Sequence, residues 1–149
     1  MKLFQIEEPD GSPGDAAQGR GAAVGIEIVG GGIGRVAIAV GGNGEILPGA
    51  DGERDLRARG PRDLLLGLRS RAEKQLARPV THAVLAVDAA DLDGIEAAAV
   101  AAGLTILRVI ERRAAAALYK GAPAEDAPVL GAAVAAEDAM PAQAGTGLI

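Results

Sequence analysis

The residues best suited to chemistry in this chain gather around one glycine run. Glu27 precedes Gly30-Gly31-Gly32-Ile33-Gly34, a carboxylate followed by small residues with unobstructed amides. Successive backbone N–H groups in such a turn can form a nest for an anion such as phosphate. The same residues suit an ordinary hairpin turn, because glycine tolerates positive φ. A dinucleotide fingerprint fits poorly, since a strand rather than a helix follows the glycines. Further along, Asp88, Asp91 and Asp93 lie close in sequence. They suggest a metal cluster on one reading. On the other, which is the expectation here, one caps the following helix and the rest face water, favoured by the helix dipole. Glu111-Arg112-Arg113 reads as a solvated helix start. The only serines are Ser12 and Ser70, and no serine triad is visible. No catalytic residue and no metal ligand is assigned.

These residues need elements to hold them. Residues 9–21 are rich in Pro, Gly and small polar side chains, so residues 1–21 are expected to form a flexible leader. Ala22 to Val29 is β-branched and apolar, hence a strand. The glycine run turns the chain, and Arg35 to Val40 returns as a second strand. Gly41-Gly42-Asn43-Gly44 turns it again, and Glu45 to Leu47 makes a short third strand. Residues 49–60 read as loop. From Pro61, residues Leu64, Leu65, Leu68, Ala72 and Leu76 recur at helical spacing. Pro61 suits a first helical turn. His82 to Val87 is a strand, Asp91 to Ala102 an Ala-rich helix stopped by Gly103, and Thr105 to Ile110 a strand. Arg112 to Lys120 and Val129 to Ala139 read as helices, with a linker from Pro123 to Pro128. The expectation is one α/β unit over residues 22–139 and a frayed tail over 140–149. Its sheet is mixed and five-stranded: a meander of the first three strands, then parallel additions with flanking helices.

Composition removes several function classes. The 149 residues carry a net charge of −5, which is no electrostatic footprint for nucleic acid. There is no cysteine, so disulfides, thiolate metal sites and direct ligation of an iron–sulfur cluster are excluded. No apolar run approaches the ~20 residues of a membrane span. The acidic N-terminus is unlike a signal peptide, and a cytoplasmic location is expected. Hydrophobic residues make up 49% and aromatics 1%; much of the apolar content is alanine. A thin core carried by Val, Ile and Leu is expected.

Several stretches, taken in order, resemble the DnaK-type heat-shock chaperones. Pro79 to Val87 (PVTHAVLAV) resembles the family segment PVTHAVITV, and Ala102 to Ile110 (AGLTILRVI) resembles AGLNVLRIIN. Ala114 to Leu118, with Gly121, resembles TAAALAYG. Val24-Gly25-Ile26-Glu27 resembles VGID, the start of the family's first phosphate motif. Val129 to Ala136 (VLGAAVAA) resembles VALGAAIQA, the last helix of the nucleotide domain. Leu3 to Pro9 looks like the LLQIxEP leader of the HscA branch, and Gly145 to Ile149 resembles the segment after the last helix there. The likeness touches nearly the whole chain, but the family's own chain is several times longer. It implies the ribonuclease-H-like layout of the actin and heat-shock ATPase superfamily, as a single subdomain of the nucleotide domain.

The resemblance also implies losses. Phosphoryl transfer needs donors around phosphate, carboxylates for magnesium and a group that orients water. The family's first phosphate turn, DLGTTNS, aligns with Glu27 to Gly34, where both threonines are gone. Glu27, Gly30, Gly31, Gly32 and Gly34 are then at most a residual phosphate turn. Read instead as the family's second phosphate motif, DLGGGT, the run has Ile28 and Ile33 at the Asp and Thr positions. The family's glutamate in NEPTAAA falls on Arg112, and a guanidinium cannot accept a hydrogen bond from metal-bound water. His82 matches a structural position. The expectation is a degenerate HscA-like module of iron–sulfur cluster assembly that does not hydrolyse ATP efficiently. It would bind other chaperone or assembly proteins, or itself, and need no cofactor. The alternative is a working ATP-dependent chaperone using ATP and magnesium.

Overall fold

The computed structural model describes residues 21–30 and 32–140. The expected leader up to residue 20, the tail from residue 141 and Gly31 lie outside the described residues. Strand β1 (Ala22–Val29) pairs antiparallel with β2 (Ile33–Val40), and the register sets Ile26 opposite Val36 and Glu27 opposite Arg35. Strand β3 (Asn43–Ile46) adds to β2 antiparallel. Strand β4 (Leu56–Arg57) pairs with β2 at Gly34 and Ile33. Helix α1 (Pro61–Leu76) comes next, then β5 (Val80–Val87) parallel to β1. A 3-10 turn (Ala89–Asp91) and helix α2 (Ile95–Ala101) lead to β6 (Thr105–Glu111), parallel to β5. Helices α3 (Arg112–Ala116) and α4 (Ala127–Ala139) complete the described chain.

The fold is α/β, with a mixed sheet ordered β3-β2-β1-β5-β6 and β4 attached to β2. The sheet has six strands rather than the expected five, because Leu56 and Arg57 leave the expected loop to pair with β2. Leu56 packs against α1 at Gly67, where an added Cβ would stand 2.6 Å from its Cδ2 and push the side chain aside. Strands β2, β3 and β5 each begin two residues earlier than expected. The helix expected over 91–102 starts only at Ile95, because Gly94 adopts φ 76 and separates α2 from the 3-10 turn that ends at Asp91. The helix expected over 112–120 stops at Ala116, and α4 starts at Ala127 with Pro128 in its first turn.

The sheet separates two apolar layers. On one face Ile26, Ile28, Val36 and Leu85 meet Leu64, Leu65 and Leu68 of α1, with Ile95 of α2 beside them. Burying each of these large side chains contributes about 1.5–3 kcal/mol. On the other face α4 lies over the sheet through Val129, Ala132, Ala133 and Ala136. That layer is built from small residues, and its strength is closeness rather than bulk. A Cβ placed on Gly25 of β1 would stand 2.2 Å from the Ala133 nitrogen. A Cβ on Gly131 would stand 1.7 Å from the Ala115 carbonyl oxygen, where α3 crosses α4. The small residues therefore let backbones approach closely on this face. Among the described residues no helix is long and apolar enough to cross a membrane.

The substitution Gly131→Ala sets two effects against each other. Helix propensity favours alanine by about 1 kcal/mol. Overpacking against a fixed carbonyl costs about 1–3 kcal/mol or more. The expected outcome is a net loss of stability in urea unfolding, with an unchanged m-value.

Candidate functional site

Three parallel strands deliver the site at their C-terminal ends. Glu27 lies near the end of β1, Asp88 directly follows β5, and Arg112 directly follows β6. In open α/β sheets this is the edge where ligand crevices form. Glu27 points to the α4 face of the sheet and is 3% exposed, yet it is ionisable. Its Oε2 accepts a hydrogen bond from Arg112 Nε at 2.9 Å. The same guanidinium donates through its second nitrogen to Asp88 Oδ2 at 2.9 Å. The helix starts at Arg112 as expected and Glu111 and Arg113 are exposed, but the Arg112 side chain is a bridge between two carboxylates rather than solvated.

Burial pushes the Glu27 carboxyl above its ordinary range, because desolvation disfavours the charged form. The hydrogen bond and charge of Arg112, and the charge of Arg35, pull the other way without cancelling the shift. For Arg112 desolvation acts against the charge, but Glu27 and Asp88 outweigh it and hold the guanidinium protonated.

A second set of charges lies beside the first. Arg35, opposite Glu27 on β2, donates from Nε to Asp55 at 2.6 Å and from its terminal nitrogen to Asp126 at 3.3 Å. Arg54 also binds Asp126. Asp126 is buried at the start of α4, so these pairs fasten the loop before β4 to that helix. Glu27, Arg35, Asp55, Arg112 and Glu125 line a hollow of about 260 Å³. Sequence reading missed Arg35, Asp55 and Asp126. One signal was available: a hairpin turning at residue 31 must set residue 27 opposite residue 35.

The glycine run divides into unlike parts. The Gly30 amide donates to Asp91 Oδ2 at 3.1 Å, so a carboxylate of the chain occupies this turn. The Gly32 carbonyl accepts from the Ala58 amide at 2.9 Å. Gly34 is not in the turn. It is buried within β2, where an added Cβ would meet Leu68 at 2.8 Å and Leu64 at 3.3 Å, so its role is packing. Gly31 lies outside the described residues. The next turn repeats the device: the amides of Gly41 and Gly42 grip the two oxygens of Glu137 at 2.6 and 3.0 Å. Of the three aspartates, Asp93 is exposed as expected, but none caps α2 and the other two have partners. Asp91 holds the glycine turn, Asp88 holds Arg112, and α2 has no side-chain cap. Among the described residues no group of three acidic or histidine side chains converges as a metal site. His82 shares a 2.7 Å hydrogen bond with Thr81.

This arrangement neutralises charge rather than presenting it. Magnesium takes oxygen ligands and keeps several waters. Here the buried carboxylate is bonded to a guanidinium, and the Gly30 amide is bonded to a carboxylate. These residues do not fit magnesium-bound ATP, and no phosphoryl-transfer step is derived from them.

Two outcomes test the bridge. Glu27 has a raised pKa in the folded state, so its contribution is fully present below the ordinary value of 4.5 and is lost as pH climbs through the raised one. Relative to wild type, Glu27→Gln is expected to flatten the stability profile above pH 4.5, measured by chemical unfolding at stepped pH. Arg112→Met leaves a buried carboxylate without its main partner and is expected to cost about 1–3 kcal/mol at pH 7. That cost shrinks toward pH 4, where Glu27 takes up a proton. No protein-family model matches the chain, and no curated protein matches it significantly.

Proposed function

We propose that this chain is a DnaK-type module of HscA character whose nucleotide site has been closed by its own charges, and that it acts by binding proteins. The reading places it in the cytoplasm, in iron–sulfur cluster assembly, with a ribonuclease-H-like fold. The sheet order β3-β2-β1-β5-β6, with β2 antiparallel, supports that layout. So does the placement of α1 and α2 on one face and α4 on the other. The pathway rests on the sequence resemblance alone.

One observation carries the loss of ATPase function: Arg112 joins Glu27 to Asp88. The resemblance puts a magnesium-side carboxylate at residue 27 and a water-side carboxylate at residue 112. A salt bridge between those two positions replaces acceptors with a closed pair. Removing either partner exposes the other as an unpaired charge, so the change is self-locking. The hollow beside the pair, about 260 Å³, also falls below the usual ~300–1,000 Å³ of small-molecule pockets.

Thermal unfolding with and without about 1 mM magnesium-ATP tests this reading. A ligand at a thousand times its dissociation constant adds about 4 kcal/mol of stability. The expected result is no shift and no heat in isothermal titration. Saturable binding at micromolar strength or tighter overturns the reading in favour of an ATP-dependent chaperone.

A further inference from the structure

The sheet edge formed by β6 carries an apolar surface that the fold leaves open. Leu92, Glu96 and Val100 succeed one another at intervals of four, and Glu96 and Val100 share one face of α2. Leu92 is 46% exposed and Val100 73%. The opposing wall is β6, the edge strand of the sheet, through Val109 and Ile106. Between the walls lie two neighbouring hollows of about 440 and 430 Å³. Glu96 lines both and, among the described residues, is the only charged side chain in either.

An added strand is a poor occupant. Strand β6 is irregular where it pairs with β5: Ala83 faces Ile106 and Val84 faces Arg108, which leaves Leu107 as an extra residue. A bulge of this kind twists an edge away from further pairing. The wall instead presents an apolar, an acidic and an apolar side chain in succession, Leu92 from the end of the 3-10 turn and Glu96 and Val100 from one face of α2. We infer that this groove docks an amphipathic helix of another protein, with apolar residues on either side of a Lys or Arg that meets Glu96. The chain's net charge of −5 adds long-range attraction for such a cationic partner. The inference rests on the protein-binding role proposed above and gives that partner its chemistry.

The probe is a capped, fluorescein-labelled alanine-based peptide of about 16 residues, long enough to be helical in part. It carries Leu, Lys and Leu at four-residue intervals, and a control carries Glu in place of Lys. Anisotropy is expected to show saturable binding of the Lys peptide to the full chain, weakened by added salt. NMR shifts are expected at Leu92, Glu96, Val100 and Val109. The exposed variant Glu96→Lys is expected to weaken the Lys peptide about tenfold and to strengthen the Glu peptide. Absence of saturable binding overturns the inference, as does binding that ignores the charge at residue 96. Concentration-dependent dimerisation in sedimentation, lost in Val100→Asp, also overturns it, because a second copy then fills the groove. The peptide result is independent of the magnesium-ATP result, so the two failures are distinguishable.

Discussion

The burial of one carboxylate organises this structure. Glu27 sits in the central strand, among side chains that exclude water, and a lone charge there is costly. Arg112 meets that charge only because β6 ends at the same edge of the sheet as β1, two strands away. The pair therefore demands the parallel arrangement of β1, β5 and β6. It also fixes how α3 leaves the sheet, since Arg112 is the first residue of that helix. Asp88 then finds the second face of the same guanidinium, which brings the loop after β5 into the bridge.

The two glycine turns obey a related constraint. A tight turn leaves backbone amides pointing outward, and such amides attract anions. This chain answers from within: Asp91 meets the first turn and Glu137 the second. Each contact ties a hairpin end to an element far along the chain, the 3-10 turn in one case and α4 in the other. An acidic chain has many carboxylates for this purpose. The consequence is that both ends of β2 are tied down, through the Gly30 amide at one end and the Gly41 and Gly42 amides at the other.

The two faces of the sheet use different means of packing. Leucine and isoleucine fill the α1 side by volume, whereas glycine and alanine let α4 approach the sheet on the other side. Close approach needs a run of small residues, and α4 supplies it with Gly131, Ala132, Ala133, Ala135 and Ala136. That near-contact positions Asp126, at the head of α4, against Arg35 and Arg54. Helix α2 is shorter and covers less, and its outer stripe stays open to solvent at Val100.

Neighbours along the chain were enough to set much of this fold. The local apolar patterns place the α1 stripe, strands over 22–29, 82–87 and 105–110, and the α/β class with its mixed sheet. They also mark Glu27 as a carboxylate in an apolar strand. Local patterns fail where contacts decide: Leu56 and Arg57 become a strand because β2 offers an open edge, and the helix expected over 91–102 starts only at Ile95 because Gly94 turns left-handed. Which charges meet was settled by the folded chain alone. Glu27 and Arg112 are 85 residues apart, and Arg35 and Asp126 are 91 apart. Periodicity reports which face a residue occupies, but a salt bridge requires two faces to be brought within about 3 Å. That proximity is a property of strand order, and no spacing in the chain encodes it.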